Sequence, residues 1–433
     1  MKYVITVLLL AISSFGWSYA ETVQAIPDSS NQENLQAMIE EALSRNPEIA
    51  AESYKMIMTE RRIPQAAALD DPELTFKVME IPGVSFNQAM YANIELMQMI
   101  PFPSKLSARR SIAELLSQHS HHEYMEKASM VISDLKIALA SLWFSRESLK
   151  INKSNEAYLR QILKAAETSY VTGQVSQQEI LKTNIELSKT SVNEAKIREQ
   201  IIAAESKVRT LLNRSFSAPI GTFSLEAAPD SLPSIDQLVA FALENRPMLV
   251  HDSLNVVEKE LTVGLMKKDY LPDFKLSLEY VRMPVLMENR WSVSAGISLP
   301  FAPWTIAKTS SRVEEAEADQ MMLSSIYTAS KNTVQGQIRS EYASLQALQK
   351  ELQSLQNTII PQVNQSLQLL LTDYESGKTS YLMVLDGYRM SNDTQLDFAM
   401  AQMNYQQTLA ALEREVGVSD IQFVARYEKE NQQ

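Results

Sequence analysis

The chain is expected to be an α+β protein in which very long helical hairpins alternate with pairs of short antiparallel strands, the whole pattern written twice. Three observations predict this. Anchor residues recur in the same order about two hundred positions apart. The stretches 104–168 and 305–373 carry almost no glycine or proline. Four short segments alternate apolar and polar residues with period two.

Taken in order, the chain opens with Lys2, an apolar run from Val4 to Ile12 and the small-x-small triplet Ser18-Tyr19-Ala20. This reads as a secretory signal peptide over 1–20, cleaved near Ala20. No later segment approaches 18 consecutive apolar residues, so a membrane-spanning helix is not expected. Contact with a membrane would then fall to a barrel or to the surface. There are no cysteines, which removes disulfides, thiolate metal sites, cysteine nucleophiles and a lipidated N-terminal cysteine. A net charge of −12 with no basic tract argues against nucleic-acid binding. Only 10 glycines, in a chain dominated by Gln, Ser, Ala, Leu and Glu, is the composition of long helices.

The repeat has four collinear anchors. Ala42-Leu43 with Pro47 recurs as Ala242-Leu243 with Pro247, and Pro72 as Pro272, both at an offset of 200. Pro101-Phe102 recurs as Pro300-Phe301 at an offset of 199. Tyr170, Gly173, Ser176 and Leu181 recur as Tyr374, Gly377, Ser380 and Leu385 at an offset of 204. The mature chain therefore divides into a first repeat (21–214), a linker (215–234, with Pro219, Gly221, Pro229 and Pro233), a second repeat (235–417) and an irregular tail (418–433).

Each repeat is expected to open with one helix, 33–66 and 235–268. Two strands follow, 72–80 with 89–100 and 273–282 with 290–299. In the second repeat Phe274, Leu276, Leu278 and Tyr280 alternate with Lys275, Ser277 and Glu279. Trp291, Val293, Ala295, Ile297 and Leu299 alternate with serines and Gly296. The first repeat follows the same parity, which groups Met79, Met97 and Met99 with Lys77, Glu95, Lys275 and Glu279 on the polar side. Such strands fit a soluble core, or lipid on one face and a water-filled lumen on the other.

The long helices come next, 104–168 and 305–373, the first about 98 Å long at ~1.5 Å per residue. Leu135, Leu139, Leu142 and Leu149, with Leu345, Leu348, Leu352, Leu355 and Ile359, fall on heptad spacing and predict coiled-coil packing. Pro361 predicts a kink. Glycine turns and second helices (177–213 and 381–416) complete each hairpin, with Ser176 and Glu179 expected as a capping box. Four strands cannot close a membrane barrel, whose smallest examples have about eight, so a barrel demands oligomerisation.

The runs Ala42-Leu43-Ser44-Arg45-Asn46-Pro47-Glu48, Asp71-Pro72-Glu73-Leu74 and Ile100-Pro101-Phe102-Pro103-Ser104-Lys105-Leu106 resemble the TolC family of outer-membrane efflux proteins, closest to its heavy-metal efflux branch. Ile360-Pro361-Gln362, Tyr374-x-x-Gly377 and Leu385-Asp386 are similar to the same branch, and the resemblance covers essentially the whole mature chain. It implies a homotrimer with a twelve-stranded barrel in outer-membrane lipid and a helical coiled-coil tunnel extending into the periplasm. It further implies docking of the tunnel end onto a periplasmic adaptor and an inner-membrane pump. Passive export follows, without chemistry or cofactor. The acylated N-terminal cysteine of many relatives is absent, and Ser104 stands where the branch often has glycine.

The resemblance also places a tip at Tyr170, Gly173 and Ser176, and a second at Tyr374 and Gly377. Alignment on the second tip sets Asp386 and Met383 on the family's pair of gate aspartates, leaving one acidic ring per trimer; the alternative is that Asp386 is a solvated residue favouring the helix dipole. His119, His121 and His122 invite a metal reading, but sparse carboxylate neighbours favour a solvated patch. Twenty methionines suit soft ions such as copper or silver, or else packing, the latter expected of Met390, Met400 and Met403. No nucleophile elbow, phosphate loop or paired zinc histidines occur, so an enzyme is not expected. The rival reading is a periplasmic coiled-coil adaptor or scaffold without a barrel.

Overall fold

A computed structural model describes residues 33–79, 91–171, 173, 176–225, 232–283, 288–421 and 423–424. The signal peptide, the tip residues 172, 174 and 175, and most of the tail fall outside the described residues.

Each repeat starts with two helices rather than one. In the first, α1 (Leu35–Arg45) and α2 (Pro47–Ala67) break at Asn46; in the second, α5 (Ile235–Asn245) and α6 (Pro247–Lys267) break at Arg246. The break is set by proline at the first position of the second helix, which holds the preceding residue extended, at ψ 125° for Asn46 and 123° for Arg246. Asn46 then caps α2, its Oδ1 accepting from the Glu48 amide at 2.8 Å, while its Nδ2 donates to the Leu211 carbonyl at 3.0 Å. Arg246 offers no such cap and instead reaches Glu415 at 2.7 Å.

The strands β1 (Glu73–Met79), β2 (Tyr91–Ile100), β3 (Phe274–Met283) and β4 (Glu288–Ile297) form one antiparallel sheet in sequence order, joining the two repeats through β2–β3. From this sheet descend α3 (Pro103–Val171) and α7 (Pro303–Ser354), turning into α4 (Gln177–Leu212) and, through α8 (Ile360–Glu375), into α9 (Tyr381–Val416). At about 1.5 Å per residue, the 69 residues of α3 span roughly 100 Å. The expected kink at Pro361 takes the form of a π turn, Leu355–Ile359, immediately upstream. Proline cannot donate the ordinary i→i−4 bond, and the wider turn absorbs that loss. Leu345 and Leu355 are buried as the heptad predicts, whereas Ile359, inside the π turn, is rotated out to 39% exposure.

Two quasi-equivalent cores fill the middle of the molecule. Met38, Ile39 and Ala42 of α1 pack with Leu135, Leu139 and Leu142 of α3. Leu238, Val239 and Ala242 of α5 pack with Ile338 and Leu345 of α7 and Leu412 of α9. An 18-residue stretch of α3 reaches a mean hydropathy of 1.3, apolar enough by composition to cross a membrane, where no such span was expected. Of the buried α3 leucines, Leu135, Leu139 and Leu142 belong to the first of these cores. The linker after α4 is pinned by Arg146, which donates to the carbonyls of Gly221 at 2.7 Å and Ile220 at 3.0 Å and pairs with Glu205.

Both repeats end their last helix left-handed, on Asn213 at φ 52° and on Gly417 at φ 86°. A Cβ on Gly417 would also lie 3.0 Å from the Arg246 Cα. Gly417→Ala is therefore expected to lower stability by about 2 kcal/mol, through positive φ and a backbone that cannot yield. Denaturant unfolding checks this; an unchanged midpoint would mean that the α5–α6 break moves freely.

The joint between sheet and helices is polar and tight. Lys105, two residues inside α3 and only 6% exposed at its side chain, donates to both Asp273 carboxylate oxygens at 2.9 and 3.0 Å and to the Leu271 carbonyl at 3.0 Å. Asp273 also accepts from the Phe102 amide at 2.9 Å. Burial alone would raise the Asp273 carboxyl; Lys105 and the Phe102 amide outweigh it and hold the group below its ordinary value.

Candidate functional site: the sheet faces and the helical tips

The sheet register settles which residues share a face. Leu74, Phe76, Ile94, Leu96, Leu276, Leu278, Val293 and Ile297 pair across the ladders on one side. Lys77, Glu95, Met97, Met99, Lys275 and Glu279 fall on the other, and Met79 holds the matching register position. The parity read from the sequence therefore brings these polar candidates together. Burial is inverted relative to a sheet on a soluble core: Phe76, Trp291 and Val293 are 68%, 69% and 72% exposed, while Asn93 and Ser277 on the polar side are 5% and 6%.

On the polar face Glu95 lies directly opposite Glu279. Like charges so placed repel, and each carboxylate is held by its own partner. Lys77 pairs with Glu95 at 3.1 Å; Asn93 donates to one oxygen of Glu279 and Ser292 to the other at 3.1 Å. The arrangement presents carboxylates, lysines and thioethers on one face of the sheet.

At the far end, the two hairpins turn on Gly173 at φ 77° and Gly377 at φ 71°. A Cβ at either glycine would meet nothing within 4 Å, so it is the left-handed conformation, not crowding, that calls for glycine. In the second tip the Gly377 amide donates to the Tyr374 carbonyl at 2.9 Å and the Lys378 amide to the Asp373 carbonyl at 2.8 Å, closing the helix end. The expected capping box is not formed: Ser176 sits in the cap position with no side-chain hydrogen bond, and Glu179 meets it only through its backbone amide. Tyr170 remains 46% exposed, whereas its counterpart Tyr374 turns in between the hairpins.

Helix α9 buries Tyr381, Val384, Leu385 and Tyr388 against α3 and α8. Its opposite stripe holds Met383, at 54% exposure, and Asp386, whose side chain is 69% exposed. Asp386 makes a 3.4 Å contact with Arg389, but Arg389 reaches Glu186 on α4 at 2.7 Å, so the shorter bond ties the hairpins together. Sequence reasoning missed Arg389 and Glu186. Only the i,i+3 spacing of Asp386 and Arg389 could have flagged half of the set.

Two expectations change. His119 is not part of a solvated patch: it is 5% exposed and packs against His251 of α6 with ring centroids 5.2 Å apart, and burial lowers the pKa of both His119 and His122. His121 stays exposed and meets the ring of His122, at 5.7 Å between centroids. Among the described residues no group of three or more His, Asp or Glu is arranged to hold a metal ion. Met390 and Met400 are 58% and 44% exposed rather than packed in a core.

Residues 38–214 and 238–418 each match the family described as outer membrane efflux protein. The cobalt-zinc-cadmium resistance protein CzcC of Cupriavidus metallidurans is 22% identical over 360 residues, covering 82% of this chain and 83% of that one. The outer-membrane channel CmeC of Campylobacter jejuni superposes with a TM-score of 0.77 at 13% identity, over 96% of this chain and 94% of that one. The outer-membrane protein VceC of Vibrio cholerae gives 0.75 at 17%, over 89% and 96%.

Proposed function

The chain belongs to the outer membrane efflux protein family, and from that premise we propose that it is the passive outer-membrane conduit of a three-part pump. It moves substrate without transforming it. The observation that carries this is the inverted burial of the sheet. An apolar face with Phe76, Trp291 and Val293 exposed suits lipid, and the charged opposite face suits water. Four strands with open edges at β1 and β4 need neighbours to close, and three copies give the twelve strands of a barrel. Residues 21–214 and 235–417 then act as two equivalent halves of one wall, joined by the linker 215–234 and followed by the tail 418–433.

On this reading Met79, Met97, Met99, Lys77, Glu95, Lys275 and Glu279 line the lumen. The tips at Tyr170, Gly173, Ser176, Tyr374 and Gly377 face a periplasmic adaptor, and Asp386 with Met383 borders the entrance. The cargo is a heavy-metal cation. The name of the CzcC relative shifts the expectation from copper or silver to divalent ions, which lumen carboxylates attract by focusing their field.

Recordings of the full-length protein in planar bilayers test the reading. Wild type is expected to favour cations, Asp386→Asn to weaken that preference and the block by multivalent ions, and Arg389→Ala to strengthen both. Recovery of a water-soluble monomer that forms no pores would overturn the conduit. Identical selectivity in all three proteins would remove Asp386 from the entrance.

A further inference from the structure

Between the two hairpins, close to their tips, α3, α4, α8 and α9 enclose a cavity of about 600 Å³, within the range of small-molecule sites. Four tyrosines line it: Tyr158 of α3, Tyr374 of α8, and Tyr381 and Tyr388 of α9. Their rings come in pairs, Tyr158 with Tyr388 at 5.6 Å between centroids and Tyr374 with Tyr381 at 6.5 Å. The hydroxyls of Tyr381 and Tyr388 are bonded to Thr183 and Asn155. That of Tyr374 is buried and has no partner.

Among the described residues, the carboxylate that lines the cavity is Glu179 of α4. It is the residue freed by the unformed capping box, and its Oε2 atom is buried with no hydrogen bond. Among the described residues, no lysine or arginine lines the cavity. Burial raises the Glu179 pKa, opposed only by Lys182 on its own helix. Two orphaned polar atoms thus sit among aromatic rings, and each would be satisfied by a donor entering from outside. A half-buried carboxylate with one oxygen unbonded favours a positive group beside it, and tyrosine faces add to this through their quadrupoles.

We propose that this cavity is a binding site for a small organic cation, with Glu179 as counter-ion, the Tyr374 hydroxyl as polar contact and the tyrosine rings as walls. The proposal stands apart from the metal-cargo reading, because the site offers rings and one carboxylate rather than a ligand set. A bound cation contacts α4 and α8 together, and so fastens one hairpin to the other near the tip.

The test uses the full-length protein in detergent, titrated by calorimetry with the benzylammonium ion, which carries N–H donors, and with its neutral carbon isostere ethylbenzene. Wild type is expected to bind the cation at least about tenfold more tightly than the isostere, reflecting charge pairing and ring contact. Glu179→Gln should weaken the cation about tenfold and leave the isostere unchanged. Tyr374→Phe should have a smaller effect of the same sign. Equal binding of the two probes would show a merely apolar cavity, and no binding of either would show a closed one; each overturns the proposal. Undiminished cation binding by Glu179→Gln overturns it as well. Should that variant fail to assemble, the comparison of the two probes on wild type decides alone.

Discussion

Replacing Glu413 with alanine is expected to destabilise the protein by about 3–5 kcal/mol, the loss seen when one partner of a buried ion pair is removed. Glu413 of α9 and Lys136 of α3 meet at 2.8 Å with side chains only 5% and 12% exposed. The other Glu413 oxygen accepts from the Ile421 amide at 3.1 Å, and Lys136 also donates to the Ser419 carbonyl at 2.8 Å. Truncation leaves an ammonium and a buried amide short of their partner, in the segment that locks the end of the second repeat onto the first. The pair as a whole contributes far less than its breakage costs, because both charges were desolvated to form it. The double variant Lys136→Met with Glu413→Leu should accordingly recover most of the loss. Glu114→Ala, which breaks the exposed pair with Arg110, should move stability by no more than about 0.5 kcal/mol. Urea unfolding in detergent measures all three. If Glu413→Ala proves as mild as Glu114→Ala, the pair does not hold the two repeats together.

The second large effect is expected at the joint between sheet and helices. Lys105→Ala deprives Asp273 and the Leu271 carbonyl of their shared donor. Asp273 keeps the Phe102 amide and is about a third exposed at its side chain, so water offsets part of the loss, leaving about 2–3 kcal/mol. Hydrogen exchange should rise first at Phe102 and at the start of β3. The pH dependence has a definite sign. The Asp273 carboxyl is depressed in the folded state, so its contribution is complete above the ordinary value of 3.8 and is lost as pH falls below it. Wild type should therefore show acid loosening of the joint, and Asp273→Asn should not. Loosening that begins near neutrality in both proteins would point to another group.

Much of this architecture is legible in the sequence because it is periodic. Helix α9 falls on the expected residues 381–416, and each strand lies within two residues of its expected bounds. Strand parity assigns Glu95 and Glu279 to one face because the side-chain period is two. What stays hidden is aperiodic. The breaks at Asn46 and Arg246 escape because apolar spacing continues on both sides of them and a proline at the first helical position disturbs only the residue before it. The pattern Ser176-x-x-Glu179 matches a capping box by spacing, yet Glu179 is turned towards Tyr374 by the packing of another hairpin. Lys105 with Asp273, and Lys136 with Glu413, are separated by 168 and 277 positions, and no local rule joins residues so far apart. His119 looked solvated because its partner His251 lies on a helix of the other repeat.

The open edges of β1 and β4 bear on how such a molecule is made as well as on how it works. A single folded subunit carries a band of oily residues that water rejects and two rows of bare peptide groups that hydrocarbon rejects more strongly, at several kcal/mol for each unpaired group. It has no comfortable phase. If the barrel closes from several copies as proposed, entry into the membrane and meeting of subunits are one event, and the rate of maturation should climb steeply with the amount of chain secreted. At low expression the protein should wait in the periplasm with a chaperone over its strands, and a peptide copying β4 should arrest it there.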